Sequence, residues 1–168
     1  MLYKLFVPLQ AAGAGTVYFD LFHTSTSQYL MDLISVKPIV SGATAVTGAV
    51  SVDLFLTRTS AVGTGGTAAT KEGTGLTTCT ISAYDCDQPV DLTQLSARLT
   101  PTGGATAGAV LAQRPVFTEE TNAGSYTQIE MVDAPIPVKL GSGIRVVQGS
   151  VASVGNTGFD VLFRLTHR

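Results

Sequence analysis

Residues 54–70 read LFLTRTSAVGTGGTAAT, a strand-like segment that runs directly into a loop made almost entirely of Gly, Thr, Ala and Ser. Ahead of the loop, Val52, Leu54 and Leu56 share one parity and Asp53 has the other. A period of two places alternate side chains on opposite faces of a strand, so the segment predicts a strand with one face on a core. The loop carries little apolar surface and few charges, which favours a surface connection that packs against something else.

The same alternation recurs along the chain. It is clear in residues 16–22, 126–132 and 159–165, and each of these segments predicts a half-buried strand. Residues 1–10 also predict a strand, the first of the chain. Clusters of Gly, Asn and Ser separate these segments, as at residues 155–158, and provide the positive φ angles that tight turns require.

Residues 91–99 fit two different elements. Asp91 could cap a helix that carries Leu95 and Leu99 on one face. Leu95, Ala97 and Leu99 also alternate, which fits a strand. The sequence leaves both possibilities open.

The pattern as a whole predicts an all-β chain folded as an antiparallel two-sheet β-sandwich, jelly-roll-like, with an immunoglobulin-like sandwich as the alternative. No charge run, Pro-rich linker or repeat divides the 168 residues, so we expect a single domain over 1–168. A chain of this length buries roughly 70% of its unfolded surface, enough for a core without a disulfide or metal.

The small fraction of charged residues indicates which classes of partner the chain can bind. Only 13% of residues are Asp, Glu, Lys or Arg, and the net charge is −2. Nucleic-acid binders need clustered basic residues to displace counterions, whereas the basic residues here are scattered, so we expect no nucleic-acid partner. With a mean hydropathy of +0.32, the surface must be rich in small neutral residues, which suit protein assemblies.

Targeting and membrane segments are not expected. Residues 1–10 contain one basic residue, and Pro8 interrupts the apolar run, which does not match a secretory signal. No apolar run approaches the roughly 20 residues that span a bilayer. The sequence therefore predicts neither secretion nor a membrane partner.

The two cysteines do not form a recognisable site. The spacing of Cys79 and Cys86 matches neither a redox pair nor a zinc knuckle. Cys79 shares its parity with Ile81 and Ala83, so we interpret it as a small buried hydrophobic residue. A disulfide between Cys79 and Cys86 is the alternative.

Three acidic residues are the sharpest candidate for a metal site. Asp85, Asp87 and Asp91 could begin a calcium cage, but the residue order of an EF-hand is absent. Asp side chains in such positions commonly accept hydrogen bonds from nearby backbone amides. We therefore predict no metal site.

The sequence also shows no recognisable set of catalytic residues. His23 and His167 belong to no Ser-His-Asp order or His-x-x-x-His pair. Glu119 and Glu120 stand together in a predicted loop, where nothing would separate their pKa values for acid and base roles. The Gly-rich clusters lack the helix that a phosphate-binding loop requires. We predict no catalytic residues, no cofactor and no enzymatic activity.

Two segments resemble known proteins. Residues 57–67 (TRTSAVGTGGT) and 135–147 (PIPVKLGSGIRVV) resemble segments of small virion proteins of tailed bacteriophages. The resemblance implies a β-sandwich capsid decoration subunit, made in the host cytoplasm and located in the virion, with the major capsid protein as its partner. It implies no catalytic residues.

The chain also suggests contacts between subunits. Both faces of residues 2–9 are largely apolar, so either the final strand or a neighbouring chain must cover them. The Arg58 guanidinium either reaches over the rim of the sheet or braces the loop that follows, and a contact across a subunit interface is the functional alternative. We expect residues 62–75 to be mobile until a neighbour orders them. The predicted interface residues are Tyr3, Leu5, Val7, Arg58, Thr64, Gly65 and Gly66. We expect a homo-oligomer, and the phage resemblance favours a trimer.

A second function fits the same scaffold. A β-sandwich can serve as a carbohydrate-binding or host-recognition module, which usually offers exposed aromatic side chains. The chain has no Trp and five Tyr, so this function ranks second.

Overall fold

The computed structural model describes residues 1–11, 13–41, 50–72, 77–84, 91–104, 107–118, 130–151 and 156–168. These residues form β-strands and contain no helix, which confirms the all-β prediction. The strands are β1 (Leu2–Ala11), β2 (Val17–His23), β3 (Tyr29–Ser41), β4 (Val50–Thr59), β5 (Thr67–Ala68), β6 (Thr70–Lys71), β7 (Thr80–Ala83), β8 (Leu95–Leu99), β9 (Ala107–Thr118), β10 (Ile136–Val138), β11 (Ser142–Gln148) and β12 (Asn156–His167).

The strands form two six-stranded sheets. Sheet A has the order β10-β3-β12-β1-β7-β6, and sheet B has the order β5-β8-β2-β11-β4-β9. Neighbouring strands in the described part of the chain are antiparallel except for β6 and β7, which are parallel. This arrangement is the predicted two-sheet sandwich, whereas jelly-roll connectivity stays a prediction.

The inner faces of the two sheets share one hydrophobic core. Phe159 of β12 lies at its centre, with its ring centroid 5.2 Å from that of Tyr18 and 5.4 Å from that of Phe19. The rings are tilted by nearly 60°, an arrangement that aromatic pairs favour. The alternation predicted for residues 159–165 is confirmed, since Phe159, Val161, Phe163 and Leu165 are all buried.

Other strand predictions had mixed outcomes. Residues 95–99 form β8, so the alternating interpretation is correct and the helix is not. Of the strand predicted over 126–132, residues 126–129 lie outside the described residues, and 130–132 are not in a strand. Met131 and Val132 are nevertheless buried, and the Met131 amide donates to the Val36 carbonyl.

The prediction that β2 is half-buried is wrong, because both of its faces are buried. Tyr18 lies at a register shift and packs against Phe159 in the core, whereas Asp20 is covered by two connections on the outer face of sheet B. Residues 60–66 run from β4 to β5, almost the full width of sheet B, and residues 100–104 follow β8 in the connection to β9. The two connections pair at Thr64 and Gly103. We call their described parts, residues 60–66 and 100–104, the crossing layer.

The glycines of the crossing layer allow close contact. A Cβ atom on Gly63 would lie 2.3 Å from Asp20 Oδ2, and one on Gly66 would lie 2.1 Å from the Leu99 carbonyl oxygen. These distances are too short for any side chain, so the glycines are required by packing as well as by turns. Within this loop, the amides of Gly63, Thr64, Ala69, Thr70 and Glu72 donate hydrogen bonds to groups elsewhere in the subunit, and residues 73–75 lie outside the described residues. That a neighbour is needed to order the loop stays a prediction.

Candidate interaction surfaces

Three of the predicted interface residues lie in the core. Tyr3, Leu5 and Val7 are at most 2% exposed. Their strand β1 pairs with β12 on one side and β7 on the other, so the subunit covers it without a neighbour. The prediction that these three residues form an interface is wrong for the folded subunit, because their side chains point into the core towards the opposite sheet.

Arg58 makes a contact within the subunit. Its Nη1 donates to the Pro137 carbonyl oxygen at 3.2 Å, which links β4 of sheet B to β10 of sheet A. The loop that follows is fixed separately, because Thr59 Oγ1 donates to the Ala61 carbonyl at 2.7 Å. Arg58 therefore braces the sandwich; a contact with a neighbouring subunit stays a prediction.

Thr64, Gly65 and Gly66 lie on the outer surface of the crossing layer, where all three are exposed. The Thr64 amide donates to the Gly103 carbonyl at 2.6 Å, and Arg98 Nη1 donates to the Gly65 carbonyl at 3.0 Å. The exposed side of the described layer has no charged side chain. The structure thus presents these predicted residues on a neutral surface that its own hydrogen bonds hold in place.

Asp20 anchors the crossing layer from below. Its carboxylate is completely buried, and Oδ2 accepts a hydrogen bond from the Gly63 amide at 2.6 Å. Asp20 lies opposite Arg98 on β8 and opposite Arg145 on β11, so the three side chains share the outer face of sheet B. Burial raises the pKa of Asp20 above its usual value, and the Gly63 amide and the Arg98 charge only partly oppose this effect.

The outer face of sheet A differs in character. It is open among the described residues and displays two ion pairs, Lys4 with Asp160 and Arg164 with Asp32, with charged atoms 2.9 and 2.8 Å apart. Tyr84, which follows β7, is 62% exposed on this face. Sheet A therefore offers charged and aromatic groups where sheet B offers a neutral cover.

The sheet edges are poorly suited to strand addition. Three of the edge strands, β5, β6 and β10, have two or three residues, and short edges discourage pairing with other chains. The fourth, β9, is long but contains Pro115 and register shifts. The Asp53 carbonyl accepts a hydrogen bond from the Gly149 amide, on the side of β4 that faces away from β9. Asp53 and Pro115 are therefore a non-hydrogen-bonded pair, and the Pro115 nitrogen, which carries no hydrogen, faces the free edge. Contacts through faces are favoured over contacts through edges.

The proposed calcium ligands do not assemble among the described residues. Asp85 and Asp87 lie outside them, whereas Asp91 Oδ1 accepts hydrogen bonds from the amide and hydroxyl of Thr93. The Thr93 hydrogen bonds lower the pKa of Asp91. In the described part of the chain, no three His, Cys, Asp or Glu side chains come close enough to share a metal ion. Asp91 fixes its own turn, as the sequence suggested.

The remaining candidate groups are the two cysteines, the Glu119–Glu120 pair and the two histidines. Cys79 is a free, buried thiol, as predicted, and burial followed by the Asp20 charge raises its pKa to about 12. Cys86, Glu119 and Glu120 lie outside the described residues. His23 is buried with Nδ1 3.0 Å from the Val138 carbonyl oxygen. His167 packs edge-on against Tyr29 at the surface.

Comparison with known proteins gives no relative: no family model, curated protein or solved structure matches this chain. No helix in the described residues is long and apolar enough to cross a membrane.

Sequence reasoning missed two features of these surfaces. Asp20 occupies a polar position in an alternating strand, and nothing local signals that a loop more than forty residues later covers it. The cluster around Tyr84 brings together β1, β3 and β12, whose order in the sheet the sequence did not specify.

Proposed function

We propose that the chain is a non-enzymatic structural subunit of a tailed-phage virion, a capsid decoration or stabilising protein that acts through protein contacts. The major capsid protein is its expected partner. The observation that carries this proposal is the crossing layer, a neutral exposed surface fixed by intrachain hydrogen bonds. Depletion of charge is typical of the centre of protein interfaces, and small residues lose little side-chain entropy on contact.

The crossing layer suits rigid docking. Gly63 and Gly66 are packed so closely that the layer has little freedom to lose when a partner binds. Preorganised surfaces bind with a smaller entropic cost than mobile ones. We therefore retain Thr64, Gly65 and Gly66 as proposed interface residues, as part of this closely packed layer. The interface no longer includes Tyr3, Leu5 and Val7.

The test is binding to particles that lack this protein. Purified wild-type chain should bind them saturably in a sedimentation assay. Thr64→Arg places a long charged side chain on the neutral layer and should weaken binding by about tenfold or more, the effect of roughly 1.4 kcal/mol. Thr166→Arg makes the same substitution at an exposed site on sheet A and serves as the matched control. Equal binding by Thr64→Arg and wild type contradicts the role of the layer, and no binding by wild type contradicts the virion function.

A further inference from the structure

A small pocket lies on the outer face of sheet A, remote from the crossing layer. Its volume is about 120 Å³, and its polar lining comes from Lys4, Ser35, Lys37, Tyr84 and Asp160. The pocket has room for one edge of a small polar ring.

Tyr84 provides an aromatic surface at the pocket. It is the most exposed of the large apolar side chains in the described residues, at 62%. Its backbone is nevertheless fixed, because the Tyr84 amide donates to the Leu2 carbonyl at 2.9 Å. An exposed Tyr on a fixed backbone combines an apolar ring face with a hydroxyl group, at low cost in conformational entropy.

The polar groups of the pocket form a row of alternating charge. Asp160 lies 2.9 Å from Lys4 Nζ and directly opposite Lys37 in the β3·β12 register. Lys37 is exposed and forms no ion pair among the described residues. The row therefore has one cation more than it has anions.

One further carboxylate lies near this row. Glu130 accepts hydrogen bonds from the amides of Val36 and Val132 and from the Ser35 hydroxyl. These bonds hold its carboxylate against the backbone of β3, and Glu130 itself does not line the pocket. Lys37 remains the group best placed to meet an anion.

We propose that this pocket binds a pyranose sugar that carries a carboxylate, such as a hexuronic acid unit of an acidic polysaccharide. The apolar C–H face of the sugar packs on Tyr84, and the sugar carboxylate pairs with Lys37. Sugar hydroxyls donate to Asp160 and accept from Lys4, with Ser35 at the margin. Charge-assisted hydrogen bonds of this kind fix a ligand's orientation in pockets of few polar groups.

The test is a titration of the isotope-labelled protein with D-glucuronate, and in parallel with D-glucose, followed by amide chemical shifts. Glucuronate should shift the signals of Lys4, Lys37, Tyr84 and Asp160 with a dissociation constant in the millimolar range, and glucose should bind at least about fivefold more weakly. Tyr84→Ala should abolish the shifts. Lys37→Gln should remove the preference for glucuronate, whereas Lys71→Gln, at an exposed lysine of β6, should retain it.

Three results would overturn the proposal. They are no shift with glucuronate, equal affinity for both sugars in the wild-type protein, or unchanged shifts in Tyr84→Ala. Tyr84 and Lys37 are exposed, so their variants should fold, and the dispersion of the remaining amide signals verifies this in the same spectra.

Discussion

At the residue scale, Asp20 is the most unusual group in the described structure, a buried carboxylate between a sheet and its covering loop. Only one of its oxygens has a hydrogen-bond partner among the described residues, the Gly63 amide. Because burial raises its pKa, the folded state holds the proton more firmly than the unfolded state does. The charged form therefore lowers stability, and the loss grows as pH rises from the unfolded pKa through the folded one.

The substitution Asp20→Asn tests whether the charge of Asp20 lowers the stability of the folded state. Asn keeps an oxygen to accept from Gly63 but carries no charge, so the variant should be more stable than wild type near neutral pH. The difference should shrink as the pH falls through the raised pKa of Asp20, because wild type then becomes neutral as well. Urea unfolding at several pH values measures this. A variant that is less stable at neutral pH, with a difference that grows with pH, would contradict the account.

At the element scale, β1 is a central strand and not an exposed edge. Leu5→Ala should therefore destabilise the subunit by about 2–5 kcal/mol, the usual cost of removing a buried Leu side chain. Lys4→Ala, one residue away on the outer face, should cost under about 1 kcal/mol because its ion pair is half-exposed. Chemical denaturation of the isolated chain distinguishes the two. A Leu5→Ala variant of wild-type stability but impaired assembly would restore the interface interpretation.

The crossing layer gives a second prediction at this scale. Gly63→Ala introduces a Cβ 2.3 Å from Asp20 and 2.9 Å from Pro101, so it should cost about 1–3 kcal/mol and speed hydrogen exchange at Thr64. Gly103→Ala is the matched control on the opposite segment. Its Cβ would meet only Thr64 Oγ1 at 3.3 Å, so its effect should be clearly smaller. Equal stability of Gly63→Ala and wild type would show that the layer does not pack as described.

The sequence predicted elements better than their contacts. Alternation located β4 and β12 because each has one face on the core, and that signal is local. It failed at β2, where Tyr18 turns into the core at a register shift and a connection from elsewhere in the chain covers Asp20. It also could not assign Thr64, Gly65 and Gly66 to a fixed layer, since Gly-rich sequence fits both mobile loops and close packing.

At the scale of the whole molecule, the two faces of the sandwich differ. Sheet B is covered by a neutral layer, and sheet A displays ion pairs and an exposed Tyr84. Under the proposed virion function, this difference favours an orientation in which the layer contacts the particle and sheet A faces outward.

The predicted oligomer is a trimer, an expectation that rests on the phage resemblance. Light scattering coupled to size exclusion should give three times the chain mass of 17.4 kDa. Because β1 is covered within the subunit, the contacts that form the trimer must lie elsewhere. A monomer mass at high protein concentration, together with isolated copies on the particle, would contradict the trimer.

The most direct test of the central claim is hydrogen exchange of the chain free in solution and bound to particles. The account predicts that the amides of the crossing layer, residues 60–66 and 100–104, are further protected on binding, while the amides of Tyr84 and of β3 exchange at unchanged rates. Added protection confined to sheet A, or none at the crossing layer, would contradict it.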